Sequence, residues 1–145
     1  MSRKPESVLI GAVHREFKGD AGAPHYEKMH NPYRGGTADV WYSGMRGDLW
    51  VEFKWIPKLF DNVDVVVPDL SKLQLDWLIS RKLEGRNVGV AVGYPSGLLY
   101  SDEITEWING IPTTSQFTRR EFSQLLKEVV GACQSSEEFL RRRSR

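Results

Sequence analysis

The chain has 145 residues, of which 40% are hydrophobic and 27% are charged, so it is long enough for one domain with a buried core. No run of about 18 apolar residues occurs, so we expect neither a membrane-spanning helix nor a signal peptide. The single cysteine, Cys133, excludes an intrachain disulfide and fits a reducing, cytoplasmic compartment, while the formal net charge of +1 lends no support of its own to nucleic-acid binding.

An amphipathic helix is predicted over Glu6–Phe17, because apolar residues recur there at helical spacing. Pro5 suits its first turn, and Gly19 is a typical stop. The apolar face predicted for this helix comprises Val8, Leu9, Ala12, Val13 and Phe17. A short extended segment over His25–His30 follows.

Two strands rich in β-forming residues are predicted over Thr37–Ser43 and Asp48–Ile56. Because only the turn Gly44–Gly47 separates them, we expect an antiparallel hairpin. Side chains alternate between the two faces of a strand, so Glu52 and Lys54 share one face of the second strand. The opposite, apolar face belongs to the core and carries Val51, Phe53 and Trp55.

The second half of the chain alternates helices and strands. An irregular segment with a short strand in Val63–Val67 leads to a helix that ends near Leu83, for which Ser71 is the predicted N-cap. Its predicted apolar face comprises Leu73, Trp77 and Leu78. Asn87–Tyr94 is almost continuously apolar, which is typical of a strand buried on both faces. The remaining predicted elements are a strand over Leu98–Ser101, a brief helix over Asp102–Trp107, and a last helix from Thr118 to about Arg142, interrupted near Gly131 and Cys133.

This order of elements predicts an α/β fold in which helices flank a small central mixed β-sheet. We expect one domain over residues 1–145, with its core at about 5–110 and a C-terminal helix and arginine-rich tail at about 118–145. For the arginine-rich tail, a solvated helix end is favoured over a DNA-contacting arm.

The candidate chemistry lies on the two hairpin strands. Asp39 falls near the start of the first strand, and a turn at Gly44–Gly47 would pair it near Glu52. Two carboxylates would then reach one divalent cation, and oxygen ligands suit Mg²⁺ or Mn²⁺. Such an ion polarises a phosphate and lowers the pKa of a bound water, while Lys54 orients that water or neutralises developing charge. From these residues alone, an ordinary surface ion pair between Glu52 and Lys54 remains an open alternative.

These motifs resemble those of the VRR-NUC group in the PD-(D/E)XK nuclease superfamily, over roughly Glu6 to Tyr94. The segment ending in Asp39 stands where that group has Gly-x-Pro-Asp, with Ala38 in place of the proline. The sequence Glu-Phe-Lys at 52–54 matches Glu-x-Lys, and Leu-Ser-Lys-Leu-Gln at 70–74 matches the Leu-Ser-x-x-Gln helix.

The resemblance implies a metal-dependent DNA endonuclease of viral or bacterial type that acts on branched DNA, often as a homodimer. It implies that Asp39, Glu52 and the carbonyl of Phe53 bind Mg²⁺ or Mn²⁺, and that Glu6 assists directly or through water. It also implies a helper role for Gln74 beside the catalytic residues. Two other functions stay open: a sequence-specific homing or restriction-type endonuclease, and a non-cleaving DNA-binding module with the same fold.

A polar, aromatic and basic run leads into Asp39 and is a candidate DNA-binding segment. Its residues are suited to contacting DNA backbone or stacking on an unpaired base, although a plain surface loop fits equally well. The segment comprises Lys28, His30, Asn31, Tyr33 and Arg34.

Four side chains are expected to have mainly structural roles, with His30 as the best exception because it could also meet a phosphate. We interpret His14, His25 and His30 as surface or hydrogen-bonding histidines, because their spacing fits no standard zinc site. Trp50 shares the face of Glu52, and we expect it to pack under the last helix.

Overall fold

The computed structural model describes residues 4–30 and 35–143 of the chain and contains the alternating helices and strands that the sequence predicts. Its helices are α1 (Pro5–Arg15), α2 (Lys72–Leu83), α3 (Ile104–Asn109), α4 (Arg119–Val130) and α5 (Ser136–Arg143). Its strands are β1 (His25–Lys28), β2 (Val40–Gly44), β3 (Gly47–Trp55), β4 (Val65–Val66), β5 (Val88–Tyr94), β6 (Gly97–Ser101), β7 (Ile111–Pro112) and β8 (Gln116–Phe117). Across these described ranges, no helix is both long enough and apolar enough to cross a membrane.

Six strands form the central sheet in the order β1-β2-β3-β5-β6-β8, and β4 pairs with β7 in a separate two-stranded sheet. The β3–β5 pair is parallel, and the other pairs are antiparallel. This parallel pair requires a crossover, which contains α2. The sheet is therefore mixed, as the order of elements predicted.

The hairpin of β2 and β3 is held against the end of α4. Gly44 pairs with Gly47 across a two-residue turn, and the amide of Arg46 within that turn donates to the carbonyl of Val130 at 2.8 Å. A side chain at Gly44 would collide with the backbone of Gly131. Glycine at position 44 therefore lets α4 end directly over the hairpin.

Two apolar clusters cover the two faces of the sheet. The first lies beneath α1 and α4 and is formed mainly by Leu9, Val13, Val51, Phe53, Phe122 and Leu126. The second lies beneath α2 and α3 and is formed mainly by Leu78, Val90, Val92, Trp107 and Ile111. Every residue of β5 is buried, which confirms the prediction for this strand, because helices cover it from both sides.

Several details differ from the sequence-based expectations. Val8 is 48% exposed and Leu73 is 61% exposed, because the sheet contacts other faces of their helices. Trp50 packs against Trp77 of α2 at 5.5 Å between ring centroids, and not under the last helix. Strands β7 and β8 were not predicted, because two residues are too few to show a period.

His14 is a buried histidine on the inner side of α1. It is 8% exposed, and its Nε2 lies 2.8 Å from the hydroxyl of Tyr42. Burial, reinforced by the positive charge of Lys28, lowers the pKa of His14 from 6.5 to about 4. This histidine is therefore neutral in the folded protein at neutral pH, in line with the hydrogen-bonding role expected for it.

We predict that His14 makes the protein less stable as the pH falls from about 6.5 towards 4. In that range the unfolded chain binds a proton that the folded protein does not, so the free energy of unfolding decreases on acidification. The stability advantage of wild type over His14→Gln should shrink by about 2 kcal/mol between roughly pH 8 and pH 5. Urea unfolding of both proteins measures this difference, and a difference that does not change with pH would contradict the burial of a neutral histidine.

Candidate active site

The hairpin register brings two acidic side chains together. Val40 pairs with Val51, which places Asp39 opposite Glu52, as the turn predicted. The Oδ2 atom of Asp39 accepts a hydrogen bond of 2.8 Å from the backbone amide of Phe53. Phe53 contributes only its backbone here, because its ring is buried on the opposite face of the sheet.

Glu52 is the most deeply buried member of the site, with 1% exposure. Its Oε2 atom accepts from Nε2 of Gln74 at 3.0 Å and lies 3.9 Å from Nζ of Lys54. Its Oε1 atom is buried and has no hydrogen-bond partner within residues 4–30 and 35–143. Burial, followed by the negative charge of Asp39, raises the pKa of Glu52 to about 8 against the opposing effect of Lys54.

Asp39 experiences a similar environment. Burial raises its pKa above the usual range, while the Phe53 amide, a hydrogen bond with the Glu52 carboxyl when that group is protonated, and the charge of Lys54 act in the opposite direction. The negative charge of Glu6, in the first turn of α1, adds to the upward shift. Glu6 is therefore within electrostatic range of Asp39, and its assisting role in metal binding stays a prediction.

Gln74 connects the helix α2 to the acid and the base on β3. Its Oε1 accepts from Nζ of Lys54 at 2.9 Å, and its Nε2 donates to Glu52. The same Oε1 accepts from the backbone amide of Ser71 at 3.0 Å, and the Ser71 hydroxyl accepts from the backbone amide of Gln74. These last two bonds form a capping box. One carboxamide thus fixes the start of α2 and bridges Lys54 to Glu52.

Gly36 allows the start of α2 to approach the segment that leads into Asp39, just before β2. Its φ is +96°, and a side chain there would collide with the backbone carbonyl of Leu73 in the first turn of α2. A residue other than glycine would be strained for both reasons. Gly36 therefore permits close contact between α2 and the segment that leads into Asp39.

The described residues contain no group of three His, Cys, Asp or Glu side chains arranged to hold a metal ion. Asp39 and Glu52 still supply two adjacent carboxylates, and the unpaired Oε1 of Glu52 is an oxygen available for a cation. Mg²⁺ is usually bound by one or two carboxylates, with water completing its coordination. The residues present therefore fit a divalent ion whose remaining ligands are backbone oxygen or water.

The candidate DNA-binding segment is described only in part. Lys28 and His30 are exposed, whereas Asn31, Tyr33 and Arg34 lie outside the described residues. Between Lys28 and His30, the backbone amide of Met29 donates to the carbonyl of Asp39 at 2.8 Å. The described part of this segment therefore runs beside Asp39, the residue before β2.

The arrangement of the sheet and its flanking helices is that of the restriction endonuclease-like fold class, which confirms the fold class expected from the sequence. A solved structure with this fold is that of Archaeoglobus fulgidus Hjc, a Holliday junction resolvase from an archaeal hyperthermophile. The two chains are 16% identical and superpose with a TM-score of 0.52 over 83% of this chain and 97% of Hjc. No protein-family model and no curated protein sequence matches the chain.

We predict that Glu52→Gln stabilises the metal-free protein by about 1–3 kcal/mol at neutral pH. Because its pKa is about 8, Glu52 takes up a proton in the folded protein at neutral pH, and the neutral amide removes the free-energy cost of that uptake. Urea unfolding in the presence of a chelator measures the effect. Asp76→Asn, an identical chemical change at an exposed position of α2, should alter stability by less than about 0.5 kcal/mol. A Glu52→Gln protein less stable than wild type would show that the carboxyl is well satisfied in the folded state.

Proposed function

We propose that this protein is a metal-dependent DNA endonuclease of the VRR-NUC type that hydrolyses phosphodiester bonds in branched DNA. The observation that carries the proposal is the convergence of Asp39, Glu52 and Lys54 around a buried carboxyl oxygen without a partner. The likeness of its fold to that of a Holliday junction resolvase supports the choice of branched DNA as substrate. We propose a homodimer as the active form, because a four-way junction presents two related strands for cleavage.

In this proposal Asp39, Glu52 and the backbone carbonyl of Phe53 bind Mg²⁺ or Mn²⁺, with Glu6 assisting directly or through water. The ion supplies Lewis acidity, which polarises the phosphate and makes water a better nucleophile. The role of Asp39 and Glu52 is to remain charged beside it, which their burial opposes in its absence.

Lys54 is the cationic member of the site. Its ammonium group is held by the Oε1 atom of Gln74 and is only partly buried. In this position it orients the attacking water or neutralises the charge that develops on the phosphate. Gln74 is a positioning residue, because it acts through Lys54 and Glu52.

We predict that Asp39→Asn, Glu52→Gln and Lys54→Ala each reduce the rate of DNA cleavage by about 100-fold or more, because each removes charge stabilisation in the transition state. Cleavage of a four-way junction, a flap, a single strand and a linear duplex, each with Mg²⁺, Mn²⁺ or chelator, measures the activity and its selectivity. Only the junction and the flap with metal present should be cut efficiently.

The matched control for the acid variants is again Asp76→Asn, which should cut at the wild-type rate. Full activity in the Glu52→Gln or Lys54→Ala protein would contradict the assignment of the site. Equal cleavage of linear duplex and four-way junction would contradict the selectivity for branches, and tight junction binding without any cleavage would favour the non-cleaving module.

We predict that Gln74→Glu lowers cleavage by about 10- to 100-fold without unfolding α2. Glutamate is equally suited to close the capping box, but its carboxylate cannot donate to Glu52 and repels it. Ser71→Ala makes the complementary change, because it removes the hydroxyl cap at a cost of about 1 kcal/mol and leaves the carboxamide bridge. Cleavage rates and thermal unfolding of both variants separate the two roles, and wild-type activity in Gln74→Glu would exclude the bridge from catalysis.

A further inference from the structure

A cleft of about 540 Å³ lies between α1 and β1, on the opposite face of the sheet from Glu52. This volume is within the range of known ligand sites. Its charged lining residues are Arg15, Lys18 and Lys28, and all three are exposed. Neither aspartate nor glutamate is among the described residues that line it.

The three cations of the cleft repel one another without relief from an acid. None of them makes an ion pair with any residue in the described parts of the chain. Asp20 pairs with Lys127, Glu27 lies on the other face of β1 beside His25, and Glu16 is exposed but does not line the cleft. A concave surface with a single sign of charge concentrates a positive potential that favours an anionic ligand.

An aromatic surface accompanies these charges. The ring of Tyr26 is 40% exposed and stacks on the ring of His14 at 3.8 Å between centroids. His14 is in turn fixed by its hydrogen bond to Tyr42. Tyr26 is therefore held in place by the core beneath it, and its ring offers apolar contact beside the cations.

Strand β1 links the cleft, on one face of the sheet, to the residues beside the candidate active site. Lys28, at one end of the cleft, pairs with Val40, the residue after Asp39. Helix α1 also links the two, with Glu6 within electrostatic range of Asp39 and Arg15 lining the cleft. Nine residues of helix cover about 14 Å, which is the axial rise of about four base pairs of duplex DNA.

We propose that this cleft binds the phosphodiester backbone of a DNA arm about four base pairs from the cleaved bond. Arg15, Lys18 and Lys28 contact phosphates, and Tyr26 packs against deoxyribose. The inference rests on the proposed function, since it specifies where the DNA runs after it leaves the carboxylates. It also gives a role to basic residues that are remote from the cleavage chemistry.

The test is DNA binding by the double variant Arg15→Ala/Lys18→Ala, measured in chelator on a four-way junction at several salt concentrations. The matched control is Lys82→Ala/Arg86→Ala, which removes the same two charge types at the far end of α2. We expect the cleft variant to bind roughly 10-fold more weakly and its log–log salt slope to fall by roughly 2, since each lost phosphate contact removes about 0.9. The control should match wild type in both quantities, and thermal unfolding checks that both variants fold.

A second measurement locates the DNA directly. Acetylation of lysines in the complex, followed by mass spectrometry, should show Lys18 and Lys28 protected by DNA and Lys82 unprotected. Wild-type protein that neither binds nor cuts any DNA would overturn the proposed function itself. Wild-type protein that binds and cuts, together with a cleft variant that matches the control and with unprotected Lys18, would overturn only the cleft.

Discussion

The buried carboxyl group of Glu52 is the constraint around which this structure is arranged. When Glu52 is ionised it has a buried oxygen without a partner, which destabilises a fold by about 1–3 kcal/mol, and it faces the negative charge of Asp39, so the carboxyl is mainly protonated at neutral pH. Strand β3 is held in position against both effects, because Val51 and Phe53 are packed in the cluster beneath α1 and α4. Departures of this kind from a well-satisfied core are typical of sites kept for a ligand. The sheet therefore holds the two acids together by packing, against their own electrostatic preference.

The start of α2 is the second support of the site, and it depends on local rules of helix formation. A capping box needs glutamine or glutamate three residues after Ser71. Only glutamine also offers a donor to Glu52 while it accepts from Lys54. Gly36 makes this possible by letting the first turn of α2 approach the segment before Asp39. The carboxamide of Gln74 therefore both caps the start of α2 and holds Lys54 and Glu52 in position.

The features that the sequence predicts well are those set by period and turn length. Alternation along β3 correctly places Glu52 and Lys54 on the face opposite Val51 and Phe53, and the short turn correctly places Asp39 opposite Glu52. The sequence does not predict features that depend on tertiary contacts. The partner of Trp50 is decided by which helix covers that face, and the exposure of Val8 by the angle at which α1 meets the sheet. The same holds for Gln74. The pattern Ser-x-x-Gln predicts that its side chain caps α2, but not that this side chain also contacts Lys54 and Glu52.

The distribution of charge along α1 explains why net charge says little about this protein. Its inner residues Leu9 and Val13 are packed against the sheet, and Ser123 of α4 donates to the carbonyl of Val13 at 3.0 Å, so the helix is rigidly placed. One end then holds Glu6 beside Asp39, and the other holds Arg15 in the basic cleft. In the proposed nuclease, carboxylates without a metal ion would repel phosphates, and the cations of the cleft would supply affinity for DNA. The chain has 20 basic and 19 acidic residues, so its net charge is close to zero. The acid at one end of α1 and the base at the other are nevertheless separated in space.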